Sequence, residues 1–168
     1  MTFLLRPAAP EDIPVMQAIE RDAARAFIPI GYDFCVGPAR EDWEHRKGIA
    51  EGAALIAECG GEPAGFILLW PVDGHGHIVE LSVALGFQKR GLGRALIDAG
   101  ETWARGAGFG AITLTTFRDV SWNAPWYRAL GYRDFEPGGG DAELAAIIAA
   151  EAAHGFHARP RTVMKKAL

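Results

Sequence analysis

The chain has 168 residues, a formal net charge of −4 at neutral pH and a sequence pI near 5.7. This acidic balance argues against general nucleic-acid binding, which favours a basic surface. A hydrophobic content of 49% with 23% charged residues is typical of a globular chain and excludes a disordered one, and the length is that of one domain.

The first part of the chain predicts a short strand, two helices and a hairpin. A strand over residues 3–7 ends at a proline, which cannot donate to a ladder. Apolar residues recur at helical spacing over residues 11–26, and a looser helix follows over residues 40–50. Residues 54–58 and 63–70 are two apolar runs joined by a glycine-rich turn, which predicts a β-hairpin.

The rest of the chain alternates strands with helices. The predicted elements are a strand over residues 77–83, a helix from Leu92 to Gly106 or Gly108, a strand over 111–117, a helix over 124–130, a helix over 141–153 and a strand over 161–166. With a further strand between the last two helices, to which no bounds are assigned, the order β-α-α-β-β-β-α-β-α-β-α-β predicts a mixed α/β fold in a single domain spanning residues 1–168. Residues 138–155 are predicted to be a helical insertion before the last strand.

A strand–loop–helix unit in the middle of the chain carries two glycines in its loop. The loop and the start of the helix read Gln88-Lys89-Arg90-Gly91-Leu92-Gly93-Arg94. The first N–H groups of a helix lack intrahelical partners and carry partial positive charge. The glycines let this backbone approach a phosphate closely, and the three cationic side chains add charge. The loop therefore predicts an anion site, although a tight turn with surface cations would use the same residues.

Two other phosphate-binding patterns do not fit this loop. The Walker pattern needs Lys-Ser/Thr after its last glycine, and here Gly93 is followed by Arg94-Ala95. The dinucleotide-binding fingerprint needs a third glycine and an acidic residue at the end of the next strand, and neither is present.

The loop resembles the signature of the GNAT (Gcn5-related) N-acetyltransferase superfamily. Gln88-Lys89-Arg90-Gly91-Leu92-Gly93 matches the family's Q/R-x-x-G-x-G/A pattern without departure, and Leu81-Ser82-Val83 before it looks like the family's Leu-x-Val strand. Downstream, residues 123–132 resemble a region of the family in which an asparagine is followed by Tyr or Phe and then by Gly-Phe or Gly-Tyr. The interval between Asn123 and Tyr127 is shorter here than in that pattern. The order of elements agrees over almost the whole chain.

The resemblance implies a fold and a cofactor. The fold is a GNAT-like mixed, mostly antiparallel central sheet with a splayed parallel strand pair, flanked by helices. The cofactor is acetyl-CoA, with no metal, and its pyrophosphate is held by main-chain amides of the loop. The residues that this assigns to cofactor binding are Leu81, Ser82, Val83, Gln88, Lys89, Arg90, Gly91, Leu92, Gly93, Arg94 and Asn123. A main-chain amide at or next to Val83 would stabilise the oxyanion formed when the amine attacks.

Asn123 and Tyr127 are four residues apart, so on a helix they share one face. The resemblance implies that Asn123 contacts the pantetheine and that Tyr127 gives a proton to the leaving thiolate. A phenol with a pKa near ~10 can protonate a thiolate whose conjugate acid has a pKa near ~8.5 as charge develops. Core packing of Tyr127 and helix N-capping by Asn123 are the structural alternatives.

A base is expected because a primary amine with a pKa near ~10 must lose a proton before it attacks. Glu80 and His77 on one predicted strand are the candidates, the first through a pKa raised by partial burial and the second as a proton relay. Being three apart, they point to opposite faces of a regular strand. The alternatives are a carboxylate paired with an arginine and a histidine in solvent. No third ligand near His75 and His77 completes a metal set.

These features predict an N-acyltransferase that moves an acetyl group from acetyl-CoA to the primary amine of a small molecule or peptide, by direct attack in a ternary complex. The alternative is an acyl-CoA-binding regulatory module without turnover. Cys35 and Cys59 form no disulfide framework, and no apolar run approaches the ~18 residues of a membrane span. We therefore expect a cytoplasmic protein with no nucleic-acid or membrane partner. Dimers are frequent in the family, so the resemblance allows a homodimer.

Overall fold

The computed structural model describes residues 2–168 and contains seven strands and five α-helices within them. The strands are β1 (Phe3–Pro7), β2 (Ala53–Cys59), β3 (Glu62–Val72), β4 (His75–Val83), β5 (Ala111–Phe117), β6 (Arg133–Asp134) and β7 (Arg161–Ala167). The helices are α1 (Ile13–Ala24), α2 (Asp42–Glu51), α3 (Leu92–Gly106), α4 (Ala124–Ala129) and α5 (Ala142–Ala153). The order of elements predicted from the sequence is the order observed. No helix in the described part of the chain is long and apolar enough to cross a membrane.

The strands form one sheet in the order β1-β2-β3-β4-β5-β7-β6. β1 and β2 pair antiparallel, as do β2 and β3, β5 and β7, and β6 and β7. β4 and β5 pair parallel, with Gly76–Ile78 opposite Ile112–Leu114 at the start of β4. The mixed α/β fold with a mostly antiparallel sheet and one parallel pair is confirmed.

Contacts divide the chain into two compact units. The first contains the residues up to Trp70 together with Val79–Trp103, and the second contains Pro71–Ile78 together with Ala104–Leu168. The expectation of a single domain stays a prediction. The candidate residues fall in both units, with the glycine-rich loop and Glu80 in the first and His77, Asn123 and Tyr127 in the second.

In the first unit, β3 is covered on both faces. Phe66 and Leu68 point to one face, where they join the core cluster that includes Met16 and Ile19 of α1. Ile67 and Leu69 point to the other face, toward α3. A Cβ on Gly100 of that helix would lie 3.1 Å from Ile67 Cδ1, so the glycine allows a close approach. Burial on both faces explains why this strand is a continuous apolar run rather than an alternating one.

In the second unit, β5 and β7 pair along their whole length, from Ala111 opposite Ala167 to Phe117 opposite Arg161. The start of α5 is held by Asp73, the turn residue between β3 and β4. Its carboxylate accepts hydrogen bonds from the N–H groups of Glu143 and Leu144, at 3.2 and 2.8 Å. In return the N–H of Asp73 donates to the Glu143 carboxylate. This reciprocal cap fixes the helix that the sequence places as an insertion.

Gly52 ends α2 at a point where no side chain fits. A Cβ at this position would overlap the carbonyl oxygen of Leu69, and main-chain atoms of a buried strand cannot move aside cheaply. We expect Gly52→Ala to lower the free energy of unfolding by about 1–3 kcal/mol, as measured by urea titration. Gly37→Ala is the matched control, because its Cβ would meet no atom within 4 Å, and it should stay within about 0.5 kcal/mol. Equal stability of the two variants would contradict this account of Gly52.

Candidate functional site

The glycine-rich loop in the first unit has a backbone suited to an anion. It runs from the end of β4 to the start of α3 at Leu92, through a short 3-10 turn. Both Lys89 and Gly91 have positive φ angles, of 60° and 89°, and a lysine in that region is uncommon. The N–H of Ala95 donates to the carbonyl of Gly91, so the amides just before Ala95 form the helix N-terminus. Amides in that position have no acceptor within the helix and are available to a phosphate.

Side-chain contacts set the charge around this loop and join it to β4. The amide of Gln88 donates to the carbonyl of Val83 at 3.0 Å, which ties the loop to the strand end. Arg94 pairs with Asp98 at 2.9 Å on the exposed side of α3, so part of its charge is neutralised. The Arg90 guanidinium lies over the Phe87 ring, 5.5 Å from its centroid. Lys89 and Arg90 are exposed cationic side chains of the same loop.

Glu80 lies in an ion-pair network centred on Arg40, which comes just before α2. Arg40 Nε is 3.2 Å from Glu80 Oε2, and its Nη1 is 2.9 Å from Glu44 Oε1. The other carboxylate oxygen of Glu80 accepts a hydrogen bond from Ser82 Oγ at 2.8 Å. Both carboxylate oxygens of Glu80 therefore have a hydrogen-bond donor. The alternative interpretation of Glu80 was a carboxylate paired with an arginine, and that arginine is present. The role of Glu80 as a base stays a prediction.

Glu20 of α1 joins the same network, and the sequence reasoning missed it. The main-chain N–H of Arg40 donates to both carboxylate oxygens of Glu20, at 3.2 Å each. Burial, together with the nearby Glu80 carboxylate, raises the pKa of Glu20 to about 8. Burial alone would lower the pKa of Arg40, but the surrounding carboxylates raise it above its ordinary value. In the sequence, the one indication was spacing. Glu20 follows Met16, which is buried, by four residues, and this places Glu20 at the edge of the apolar face of α1.

In the second unit, Asn123 and Tyr127 are joined through the start of α4. Asn123 occupies the N-cap position, and the N–H of Tyr127 donates to its carbonyl at 3.0 Å. The Asn123 side-chain amide donates to Thr116 Oγ1 at 2.6 Å instead of capping the helix. Its Oδ1 is buried without a hydrogen-bond partner among residues 2–168. A buried acceptor of this kind calls for a donor from a ligand or water.

Tyr127 is buried to 8% exposure at an aromatic cluster. Its ring meets those of Trp126 and Tyr132 edge-on, with centroids 5.0 and 5.5 Å away. This packing fixes the ring, and it fits both a structural residue and a positioned acid. The catalytic role of Tyr127 stays a prediction.

His77 is in the core of the second unit. It is 1% exposed, and its Nδ1 is 2.9 Å from Thr113 Oγ1 on β5. The alternative of a histidine in solvent does not match this burial, and a relay role stays a prediction. No group of three His, Cys, Asp or Glu side chains able to hold a metal occurs in the part of the chain that the structure describes.

Comparison with known proteins identifies the family. The profile of the acetyltransferase (GNAT) family matches residues 16–132, so the chain belongs to the GNAT acetyltransferase family. Similar solved structures include the PaiA N-acetyltransferase of Thermoplasma acidophilum in complex with coenzyme A, with a TM-score of 0.71, 16% identity and full coverage of both chains. The ribosomal-protein-S18-alanine N-acetyltransferase of Escherichia coli has a TM-score of 0.71 and 15% identity, over 99% of this chain and 94% of the other. A GCN5-related N-acetyltransferase of Rhodopseudomonas palustris has a TM-score of 0.71 and 25% identity, over 100% and 97%.

Removing Arg40 should destabilise the first unit. Arg40→Met leaves the carboxylates of Glu80 and Glu44 without their guanidinium donor, which we expect to cost about 2–4 kcal/mol in the free energy of unfolding at pH 7.5. Arg25→Met is the control, since its ion pair with Asp22 is exposed and should contribute less than about 1 kcal/mol. A loss no larger than that of the control would refute a structural role for Arg40.

Proposed function

We propose that the protein is an acetyl-CoA-dependent N-acetyltransferase that acetylates the primary amine of a small molecule or peptide by direct attack in a ternary complex. The loop geometry supports the proposal: positive φ angles at Lys89 and Gly91 occur where the first amides of α3 lie next to cationic residues in the chain, and the chain belongs to the GNAT family. The similar Thermoplasma acidophilum structure is a complex with coenzyme A, which supports this choice of cofactor.

The residues present fit acetyl-CoA. Main-chain amides between Gln88 and Arg94 would hold the pyrophosphate, and the exposed Lys89 and Arg90 would balance its charge. The unpartnered Oδ1 of Asn123 is a buried acceptor for a pantetheine N–H group. Leu81, Ser82 and Val83 form the strand end along which the pantetheine would extend. When bound, acetyl-CoA supplies the acetyl group as a thioester.

Three kinds of group in this chain would then act. The main-chain N–H of Val83, or of a neighbour, donates a hydrogen bond to the carbonyl oxygen as negative charge develops there. The Tyr127 hydroxyl gives its proton to the departing sulfur. Glu80 faces the acceptor amine as the base, with His77 as the second candidate. Cys59 is buried in β2, which argues against its use as an acyl-accepting nucleophile.

The acceptor in this proposal is a cationic amine. Glu20, Glu44 and Glu80 surround the single guanidinium of Arg40, so the region attracts positive charge when the carboxyl groups are ionised. Similar structures include an enzyme named for an alanine of ribosomal protein S18 and an N-acetylglutamate synthase. Peptide N-termini and amino acids therefore belong in the acceptor panel beside polyamines and aminoglycosides.

The first test is release of free thiol from acetyl-CoA in the presence of each amine in that panel. We expect turnover with one class of acceptor and a loss of about 10²–10⁴-fold in kcat for Tyr127→Phe, with acetyl-CoA binding retained. Tyr132→Phe is the matched control, because it removes a hydroxyl from the neighbouring ring and should change kcat only a few-fold. Acetyl-CoA binding without turnover on any amine would favour the regulatory module, and full activity of Tyr127→Phe would remove Tyr127 as the acid.

A second test concerns the loop alone. Gly91→Ala should reduce acetyl-CoA affinity by at least about tenfold, because a Cβ disfavours the left-handed backbone that presents the amides. Gly108→Ala is a closely matched control, since Gly108 has a φ of +82° against +89° at Gly91 and neither Cβ would meet an atom within 4 Å. The measurement is the rise in melting temperature on adding acetyl-CoA. An equal rise in both variants would show that the loop does not bind the cofactor.

A further inference from the structure

The second unit contains a cavity beside α5 whose walls are formed by other residues than those assigned to the cofactor and to catalysis. Its volume is about 220 Å³, and its walls come from α5, from β5 and β7, and from the segments next to them. Sites for drug-sized molecules are roughly 300–1,000 Å³, so this cavity is suited to a smaller ligand. The apolar part of the wall is formed by Phe135, Ile148, Ala152 and Val163.

The cavity stays open because α5 is held at both ends by polar contacts. Asp73 caps its first turn. In its last turn, Glu151 accepts from Thr115 Oγ1 at 2.7 Å and from Arg161 Nη2 at 3.0 Å, which ties the helix to β5 and β7. Among the described residues of α5, Leu144 alone is buried, and Ile148 at the cavity is only half-buried. An apolar surface therefore remains that a ligand would remove from water.

Arg161 is fixed in the wall of the cavity and keeps unused hydrogen-bond donors. Its guanidinium lies over the rings of Phe117 and Phe156, 4.8 and 5.2 Å from their centroids. Its Nη2 donates to Thr115 Oγ1 as well as to Glu151. A guanidinium has five N–H groups, and within residues 2–168 those on Nε and Nη1 have no acceptor. The pair of Arg161 and Glu151 is neutral as a whole, and it still offers N–H groups to a ligand.

Two opposite charges at the cavity have no ionic partner. Arg118 and Glu136 line the cavity and are exposed, and neither forms an ion pair within residues 2–168. The Arg118 guanidinium donates to the main-chain carbonyl of Arg161 at 3.3 Å, which keeps it at the wall. His157 Nδ1 lies 2.7 Å from the carbonyl of Ala152. Because a carbonyl only accepts, Nδ1 carries the hydrogen, and Nε2 of the neutral ring is an acceptor.

We propose that this cavity binds a free α-amino acid with an aliphatic side chain of the size of leucine. The carboxylate of the amino acid accepts from Arg118 and from the unused N–H groups of Arg161. Its ammonium group donates to Glu136, and its side chain covers Ile148 and Val163. These contacts use the cationic donors, the unpaired carboxylate and the apolar wall together.

The charge of the wall favours a zwitterion over a simple acid or a simple amine. The wall contains two arginines and two glutamates, so its formal charge is zero when all four are ionised. A zwitterion keeps this balance and gives each unpaired side chain a partner, whereas a singly charged ligand leaves one of them without a partner. The inference does not depend on the proposed function, because such binding requires neither acetyl-CoA nor turnover.

The first measurement is isothermal titration calorimetry with leucine in the absence of acetyl-CoA. The matched probes are isopentylamine, which is leucine without its carboxylate, and 4-methylpentanoate, which is leucine without its ammonium group. We expect a dissociation constant below about 1 mM for leucine and binding at least about tenfold weaker for each analogue, because each loses one charged hydrogen-bond partner. Absence of leucine binding, or an analogue that binds as tightly as leucine, would overturn the proposal.

Two variants assign the charges of the ligand to the two unpaired side chains. In Arg118→Met, leucine should lose its preference over isopentylamine, and in Glu136→Gln it should lose its preference over 4-methylpentanoate. Arg133→Met is the matched control, because Arg133 is also exposed and donates to main-chain carbonyls, away from the cavity wall. It should retain both preferences. Preferences that stay unchanged in Arg118→Met and Glu136→Gln would contradict the assignment.

A third variant fills the cavity. Ala152→Leu places a larger side chain in the wall and should weaken leucine binding by at least about tenfold, because the added atoms occupy the ligand's volume. Ala149→Leu is the matched control on the exposed side of the same helix and should change the affinity less than about twofold. Equal affinities of the two variants would show that leucine binds elsewhere. If Ala152→Leu fails to fold, the variants of the exposed Arg118 and Glu136 still decide the question.

The outcomes are independent of those for the proposed function. Failure of leucine to bind would overturn the amino-acid site and leave the acetyltransferase proposal intact. Tight leucine binding that depends on Arg118, Glu136 and the volume at Ala152 would support the site whether or not any amine is acetylated.

Discussion

A carboxylate on an inner strand of a sheet must be balanced by a positive charge, and the ion pair between Arg40 and Glu80 provides it. The pair forms across forty residues, from the segment before α2 to the middle of β4. The same guanidinium donates to the carbonyl of Val79 at 2.8 Å, so it binds the strand by its backbone as well as by its side chain. Truncating either partner would leave an uncompensated charge, which costs more than the pair itself contributes. The connection between α1 and α2 is held against β4 for this reason, and Glu20 and Glu44 are brought into the network with it.

The end of β4 is also fixed before any ligand binds. Gly65 of β3 allows a close approach, because a Cβ there would lie 2.9 Å from the carbonyl oxygen of Ser82. The N–H of Ala84 donates to the carbonyl of Ala64, and Gln88 donates to that of Val83. These contacts set the position of the residues just before the glycine-rich loop. An amide that is already in place needs no reorganisation when charge develops on a bound carbonyl oxygen, which is the condition for effective electrostatic stabilisation.

The sequence predicts features that depend on local periodicity, and it fails where a contact joins distant residues. The strand and helix order and the glycine-rich loop follow from spacing within short windows. The cap of α5 by Asp73 joins residues seventy apart, and no local pattern signals it. The turn at Asp73-Gly74 is a different case, because Asp-Gly in the sequence is itself typical of a two-residue hairpin turn. The strand predicted over residues 63–70 stops before Pro71, yet β3 continues to Val72 and both turn residues have positive φ, as a two-residue hairpin turn requires.

Prediction of the candidate site from the sequence has the same limit. Glu80 was found because a carboxylate on a strand is conspicuous, whereas Glu20 on a helix edge is ordinary until its neighbours are known. Burial and the nearby Glu80 carboxylate raise the pKa of Glu20, because a like charge close by disfavours the ionised form. Here Glu80 has Arg40 and Ser82, and Glu20 has one main-chain N–H. The network around Arg40 therefore joins α1, the segment before α2 and β4 within the first unit.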